Sequence, residues 1–318
     1  MVNLFKSTVA YKILSGDKKK GFLSHAYLLL CDDDKALLTY LKVMAKTIAC
    51  QSLENGYCDQ CRYCRLIEKN AHFDVTFYPK GDAKKILTAD IDDLISQTYV
   101  KPMEGEKRIF VLNNAESMNA SAQNKLLKTL EEPPKGVHII LGATNENALL
   151  ATIKSRVKKI EVPSFSEDQL FNAFKNEYED EKRLQTAIDL CDGKAGYVKE
   201  YYEQDGGGCT ALVHEVLTKM ATSREMPVYS NKITKDNIRD FLLTLKKVMT
   251  QIIKVHSLGG KSEAEKQLTE IYPVASAIGI IEKINKAQYA LHFNGNVNMI
   301  ADGILFSVLE EKIKWKKL

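Results

Sequence analysis

Apolar residues fall into short, nearly unbroken runs in the first half of the chain and into helical stripes in the second. Ala26–Cys31, Phe73–Tyr78, Arg108–Leu112 and Val137–Gly142 are dominated by apolar residues with little alternation. Runs of this kind predict strands covered on both faces, and Lys159–Val162 predicts a fifth. Helical patterns over 35–49, 89–99, 119–131 and 146–154 separate them. Strand alternating with helix predicts an α/β core: a parallel sheet with helices on both sides. Asn119 is placed to N-cap one of these helices, and Pro133 and Pro134 stop it after Glu132.

After Pro163 no strand pattern recurs. Residues 166–205 read as a small helical unit, opening with a Ser166 cap and with Glu167 in the first turn. Gly206, Gly207 and Gly208 form a linker signal. Beyond it Phe241, Leu242, Leu245, Val248, Met249, Ile252 and Ile253 recur at helical spacing. So do Val297, Ile300, Ala301, Ile304, Leu305, Val308 and Leu309. Such stripes bury against a core or a partner helix, and an internal helical core accounts for most of each.

A length of 318 residues suggests two domains, or three small ones. With 45% hydrophobic and 27% charged residues, general disorder is excluded. No apolar run approaches the roughly 18 residues of a membrane helix. Met1 to Leu14 lacks a signal-peptide core, so a soluble, cytoplasmic protein without a membrane partner is expected. A net charge of +4 is too small to argue for nucleic acid.

The seven cysteines are unevenly spread. Cys50, Cys58, Cys61 and Cys64 fall within fifteen residues, with two Cys-x-x-Cys steps in series. An odd count and no signal peptide favour a metal over disulfides. Four thiolates can enclose a tetrahedral Zn²⁺ with no open position, which makes a structural site. A redox motif and free thiols are the alternatives, and His72 is an alternative ligand. Cys31, Cys191 and Cys209 read as buried small hydrophobes.

Several stretches together are specific. They are Ser24–Leu28, the cysteine cluster, Asn119–Pro134 with its closing Leu-Glu-Glu-Pro-Pro, Ile139–Thr144 and Thr152–Arg156. They resemble the AAA+ clamp-loader family of bacterial DNA polymerase III, most closely its delta-prime branch. The resemblance covers residues 24–160, and the helical remainder fits by architecture. It implies an AAA+ core over 1–162 with a zinc module at about 50–72, a small helical lid over 163–207 and an all-α collar over 208–318. It also implies a hetero-pentamer with gamma/tau motor and delta subunits, which places the sliding clamp on primed DNA.

Where the family carries its phosphate loop, this chain has Cys31 to Leu38. Cys31, Asp34 and Ala36 take the glycine positions, Leu37 the lysine and Leu38 the Ser/Thr. Glycines let backbone N–H groups approach phosphate, and Lys and Ser/Thr serve the phosphates and Mg²⁺. Asp32, Asp33 and Asp34 would bring negative charge there instead. The next strand should end in Asp-Glu to organise Mg²⁺ and water, and here it ends in Asn113-Asn114. No ATP is therefore expected in this chain's own site, and no ATPase activity of its own. The chain is expected instead to belong to a DNA-directed DNA polymerase (nucleotidyltransferase) complex. Thr144, at the family's sensor position, reads as a satisfied strand-end hydroxyl. Ser155-Arg156 matches the family's arginine finger, which reaches a neighbour's ATP and stabilises phosphoryl charge. The alternative for Arg156 is an ordinary residue of a basic edge beside Lys154, Lys158 and Lys159.

Lys18–Lys20 reads as a solvated basic loop, Asp90, Asp92 and Asp93 as a helix start, and His25 as packing. Two other functions compete: an ATP-hydrolysing motor subunit, and a zinc-dependent nucleic-acid-binding module.

Overall fold

The computed structural model describes residues 1–318 apart from 53–55, 82, 204–208, 259–267, 294 and 317–318. The linker expected at Gly206–Gly208 lies outside the described residues. The chain divides into two compact units, 1–173 with 193–196, and 174–192 with 197–318.

In the first unit, helices α1 (Val2–Ser7) and α2 (Val9–Lys19) precede β1 (Ala26–Cys31) and α3 (Asp34–Ala49). Then follow α4 (Arg62–Glu68), β2 (Val75–Tyr78), α5 (Thr88–Thr98), β3 (Arg108–Leu112) and α6 (Ala120–Glu131). The unit continues through β4 (Val137–Ala143), α7 (Ala151–Lys154), β5 (Lys158–Val162) and the start of α8 (Glu167–Phe174). The five strands form one sheet in the order β2-β3-β4-β1-β5, and every pairing is parallel. The register sets Ala26 beside Ile139, Arg108 beside Val137, and Tyr27 beside Lys158. The central strands β1, β3 and β4 are buried along their whole length, as their nearly continuous apolar runs predict; Arg108 and His138 are buried with them. Edge strand β5 alternates, with only Ile160 and Val162 buried. Leu28, Phe110, Leu126, Ile139 and Leu141 make up the centre of one face. On the other, α3 comes so close that a Cβ on Gly142 would lie 2.6 Å from Leu41 Cδ1. Glycine there permits the approach of helix to sheet.

Helices α5 and α6 start where capping chemistry puts them. Asn119 Oδ1 accepts the Ala122 N–H at 2.8 Å, and Asp90 accepts the Leu87 N–H at 2.8 Å. The other two acids of that cluster serve different partners. Asp92 pairs with Lys125 at 2.7 Å and Asp93 with Lys80 at 2.6 Å. Over 146–154 the single helix expected from the pattern is broken into a 3₁₀ turn (Glu146–Ala148) and α7. Gln123, buried inside α6, donates to Ala148 O at 3.0 Å and accepts the Leu150 N–H at 2.8 Å. Its amide captures the backbone groups that a continuous helix would pair internally. Ahead of the sheet, α1 and α2 are anchored by Phe5 stacking on Tyr40 at 4.8 Å.

In the second unit every described element is helical. It contains α9 (Glu181–Leu190), α10 (Val198–Glu203), α11 (Thr210–Thr218), α12 (Met226–Ser230) and α13 (Ile238–Leu258). Two long helices complete it, α14 (Val274–His292) and α15 (Val297–Lys316). Both apolar stripes bury in one core: Phe241, Leu242, Leu245 and Met249 from α13, with Ala301, Ile304, Leu305 and Val308 from α15. Lys312 is buried beside them, and its Nζ donates to the carbonyls of Leu217, Thr218 and Met220 at 3.0, 2.9 and 2.8 Å. These carbonyls lie at the end of α11, where intrahelical donors run out. Lys312→Met should leave them unpaired in an apolar setting and cost about 3 kcal/mol of stability. Urea denaturation of the two proteins, compared at equal m-value, reads the difference.

Candidate functional site

The carboxyl ends of β1, β4 and β5 open onto a cavity of about 800 Å³, lined by residues that include Thr8, Cys31, Asp32, Thr144, Glu161 and Phe165. In open α/β sheets this edge is where ligands sit. Next to it, α3 begins with its backbone N–H groups exposed to whatever anion is at hand. That anion is Asp33. Its Oδ1 accepts the Ala36 N–H at 3.0 Å, and its Oδ2 accepts the Gly196 N–H at 2.7 Å. The residue is 4% exposed. Burial outweighs both amide hydrogen bonds and holds its carboxyl above the ordinary aspartate range. Gly196 lies directly on the helix start. A Cβ there would fall 2.6 Å from Asp33 Oδ1 and 2.7 Å from Ala36 N. Lys194 closes the same corner, donating to Asp32 O at 3.0 Å.

The residues aligned with a phosphate loop lie at the end of β1 and in the first turns of α3. Cys31 ends β1 in the core, where burial pushes its thiol up to about 12. Asp34 is the exposed first residue of α3. Ala36 and Leu37 are fully buried, and Leu38 is half-buried. One strand over, Asn113 and Asn114 follow β3. The Asn113 N–H donates to Tyr78 O at 2.8 Å, and Asn114 adopts a left-handed conformation at φ 59°. Thr144 is tied to Glu116, whose Oε1 accepts its N–H at 2.9 Å and its hydroxyl at 2.6 Å. The strand-end hydroxyl is thus satisfied inside the chain.

Arg156 follows the short helix α7 at the surface, with its side chain 32% exposed. Its Nη1 donates to Thr152 O at 2.8 Å and to Ser155 Oγ at 3.2 Å. Its Nε and Nη2 donate to Glu131 Oε1 at 2.9 and 2.5 Å. Glu131 is the last residue of α6, in the Leu-Glu-Glu-Pro-Pro stretch.

The cysteine cluster is assembled by the end of α3 and the start of α4. The ligand sulfurs of Cys50, Cys58, Cys61 and Cys64 all lie within 4.8 Å of one another. Cys50 Sγ is 3.7 Å from Cys58 Sγ and 3.8 Å from Cys61 Sγ. Sulfurs on a tetrahedral metal with bonds of about 2.3 Å stand about 3.8 Å apart, so the four residues fit such a metal. Backbone N–H groups point at the sulfurs: Cys61 N–H to Cys58 Sγ at 3.3 Å and Cys64 N–H to Cys61 Sγ at 3.4 Å. The N–H groups of Cys61 and Gln60 lower the Cys58 thiol to about 6, whereas burial raises that of Cys64. His72 stands outside the cluster, its Nδ1 accepting the Asp74 N–H at 3.0 Å.

Three site residues were not legible as such in the sequence. Lys18 is buried rather than solvated, and its Nζ donates to the carbonyls of Cys50, Ser52 at 2.8 Å and Gly56 at 2.7 Å. Glu116 gave no sequence signal, and Glu131 was marked only as part of the Leu-Glu-Glu-Pro-Pro stretch, since each finds its partner across more than twenty residues. Asp33 did have one: an aspartate three residues before a buried helical alanine is an N-cap pattern. Asp33→Ala should cost about 2 kcal/mol, combining loss of the cap with an orphaned Gly196 N–H. Chemical denaturation at neutral pH measures it.

Known proteins with similar sequences show the family. A family model described as DNA polymerase III, delta subunit, matches residues 6–166, half of the chain. The Bacillus subtilis DNA polymerase III subunit delta' is 34% identical over 151 residues, covering 47% of this chain and 45% of that protein. The DNA polymerase III subunit gamma of Buchnera aphidicola from Schizaphis graminum is 27% identical over 166 residues, covering 52% of this chain and 45% of that protein. The matched region thus takes in less than half of either relative. Among solved structures, a DNA polymerase III gamma subunit-related protein from Thermotoga maritima covers 96% of this chain and 100% of its own, at 17% identity and a TM-score of 0.44. On the family match across the five-stranded core, the chain belongs to the DNA polymerase III delta-subunit family of clamp-loader proteins.

Proposed function

We propose that this chain is a non-hydrolysing, delta-prime-like subunit of a bacterial clamp loader that lends Arg156 to the ATP site of a neighbouring motor subunit. The observation that carries the reading is the occupied start of α3. Asp33 supplies the carboxylate that caps the helix through the Ala36 N–H, and the Gly196 backbone covers it. A phosphate loop holds its ligand through the same kind of N–H groups, so a phosphate would have to displace a buried carboxylate of its own sign. The residues at this corner do not fit ATP. Asn113 and Asn114 offer amides where Mg²⁺ and an attacking water need carboxylates. A motor subunit would require all of these parts.

Arg156 fits the complementary role. It stands at the surface with its guanidinium already oriented by Thr152 and Ser155. A planar fork with a permanent charge matches phosphoryl oxygens, which a lysine would not reproduce. Residues 163–207 are read as the lid and 208–318 as the collar through which the chain joins the motor and delta subunits. In that assembly it would act on the sliding clamp and primed DNA, in the cytoplasm.

The four cysteines are read as a structural zinc site. All four ligand positions would be taken by sulfur, so no position is left for a substrate. Zinc would hold a loop that Lys18 already gathers through three of its carbonyls. Metal analysis should find one zinc per chain, and Cys61→Ser should release it. Lys18→Met, which removes the support behind Cys50, should weaken zinc binding about tenfold. A metal-free preparation with native fold and four freely reactive thiols would refute the site.

The functional test is ATP hydrolysis by the reconstituted complex with clamp and primed DNA. The isolated chain should hydrolyse none. Arginine fingers raise turnover by roughly 10³–10⁵, but only one of several ATP sites would depend on this chain. Arg156→Ala should therefore lower steady-state hydrolysis by about twofold to tenfold, with zinc content and assembly intact. Arg156→Lys should be nearly as poor. Unchanged hydrolysis and clamp loading by a complex shown to contain the variant would reduce Arg156 to an ordinary residue of a basic edge.

A further inference from the structure

We infer that Glu131 is a positioning residue for Arg156: an internal carboxylate that holds the guanidinium until a phosphoryl group of the neighbouring site displaces it. The inference rests on the trans-acting role proposed above for Arg156. Its evidence is the geometry of one surface pair. The guanidinium divides its donors between two kinds of partner. Nη1 is bound to Thr152 O at 2.8 Å and to Ser155 Oγ at 3.2 Å, both on the turn that carries the arginine. These contacts fix the plane of the fork without neutralising its charge. The opposite edge, Nε and Nη2, carries the charge-assisted contacts, and both converge on one oxygen, Glu131 Oε1, at 2.9 and 2.5 Å. A fork satisfied to the full would meet two oxygens through two parallel bonds. Arg156 is thus oriented firmly on one edge and held by a single anionic atom on the other.

The anion is also poorly placed in its own helix. Glu131 is the last residue of α6, and Glu132 follows it. A helix C-terminus carries partial negative charge and disfavours carboxylates. Arg156 compensates for that, but Glu131 remains 48% exposed and Arg156 32% exposed, so water screens the pair. A phosphoryl group offers more negative charge and more oxygens to the Nε–Nη2 edge than one carboxylate oxygen does. Exchange from Glu131 to phosphate leaves the Thr152 and Ser155 contacts in place, so the arginine need not be reoriented. While the site next door is empty, the same carboxylate keeps the fork in a defined rotamer instead of leaving it loose in solvent.

Competition of this kind has a kinetic signature. A site whose competent form is only part of the population shows an affinity reduced by that fraction. Removing the competing charge should therefore act on the ATP dependence of the reaction. In the reconstituted complex with clamp and primed DNA, Glu131→Gln should lower the apparent KM for ATP about threefold and leave kcat within about twofold of the wild type. In the Arg156→Ala background the same substitution should change neither parameter, because Glu131 acts through the arginine. An unchanged or raised KM for Glu131→Gln, in a complex shown to contain the variant, overturns the inference. So does an effect of equal size in the Arg156→Ala background, which would make Glu131 a structural support of α6. The two readings separate cleanly. Failure of Arg156→Ala alone to lower hydrolysis defeats the trans-acting role, whereas a normal loss with Arg156→Ala and no gain with Glu131→Gln defeats only the part assigned to Glu131.

Discussion

A parallel sheet brings the carboxyl ends of its strands to one edge, and the helix that follows β1 starts there with unpaired backbone N–H groups. Those groups need an anion or another acceptor, and the nature of that acceptor governs the chemistry of the whole core. In this chain it is the Asp33 carboxylate, buried and shared between Ala36 and Gly196. Within the Asp32–Asp34 run, the middle member caps α3 and fastens Gly196 to its first turn. The first turn of α3 thus has an internal acceptor for the Ala36 N–H, supplied by the residue just before the helix.

Elsewhere the chain resolves a similar problem with the opposite charge. Carbonyl groups at loop and helix ends have no internal donors, and two buried lysines collect them in threes. Lys18 serves Cys50, Ser52 and Gly56, and Lys312 serves Leu217, Thr218 and Met220. An ammonium has three donors and no acceptor, so three carbonyls complete it and make its burial tolerable. Burial still pulls the Lys18 ammonium below the usual lysine range, against the pull of the nearby cysteines. Such contacts are fixed parts of the fold, unlike the half-exposed pair of Arg156 and Glu131.

The sheet was legible because its signal is local. A strand buried on both faces must be largely apolar, and β1, β3 and β4 are so apart from Arg108 and His138. The caps at Asn119 and Asp90 are equally local, each acting within three residues. The clustering of the four cysteines was legible because Cys-x-x-Cys spacing brings thiols together locally. Long-range polar contacts were not. Lys18 sits in a run of three lysines of which the other two are exposed, and nothing in the run marks the first for burial. The break in the 146–154 helix depends on Gln123, more than twenty residues earlier. The partners of Arg156 and Thr144 likewise come from other elements, so the sequence could nominate these residues but not state what holds them.

The buried polar contacts of the core differ in kind from the surface pair of Arg156 and Glu131. Asp33, Glu116 and Lys18 each satisfy partners that are buried or half-buried, and each would leave orphaned polar groups if withdrawn. Such interactions favour a single arrangement and suit a subunit whose proposed part is to stay put while its neighbours turn over ATP. Arg156 is the exception. Its orienting contacts come from its own turn, and its charge is met by one oxygen of a carboxylate at a helix end where carboxylates are disfavoured. A guanidinium held in this way can change partners without disturbing anything buried. On the proposed reading, a core held by such buried contacts and carrying an exchangeable charge at its surface would act on a neighbour's phosphates.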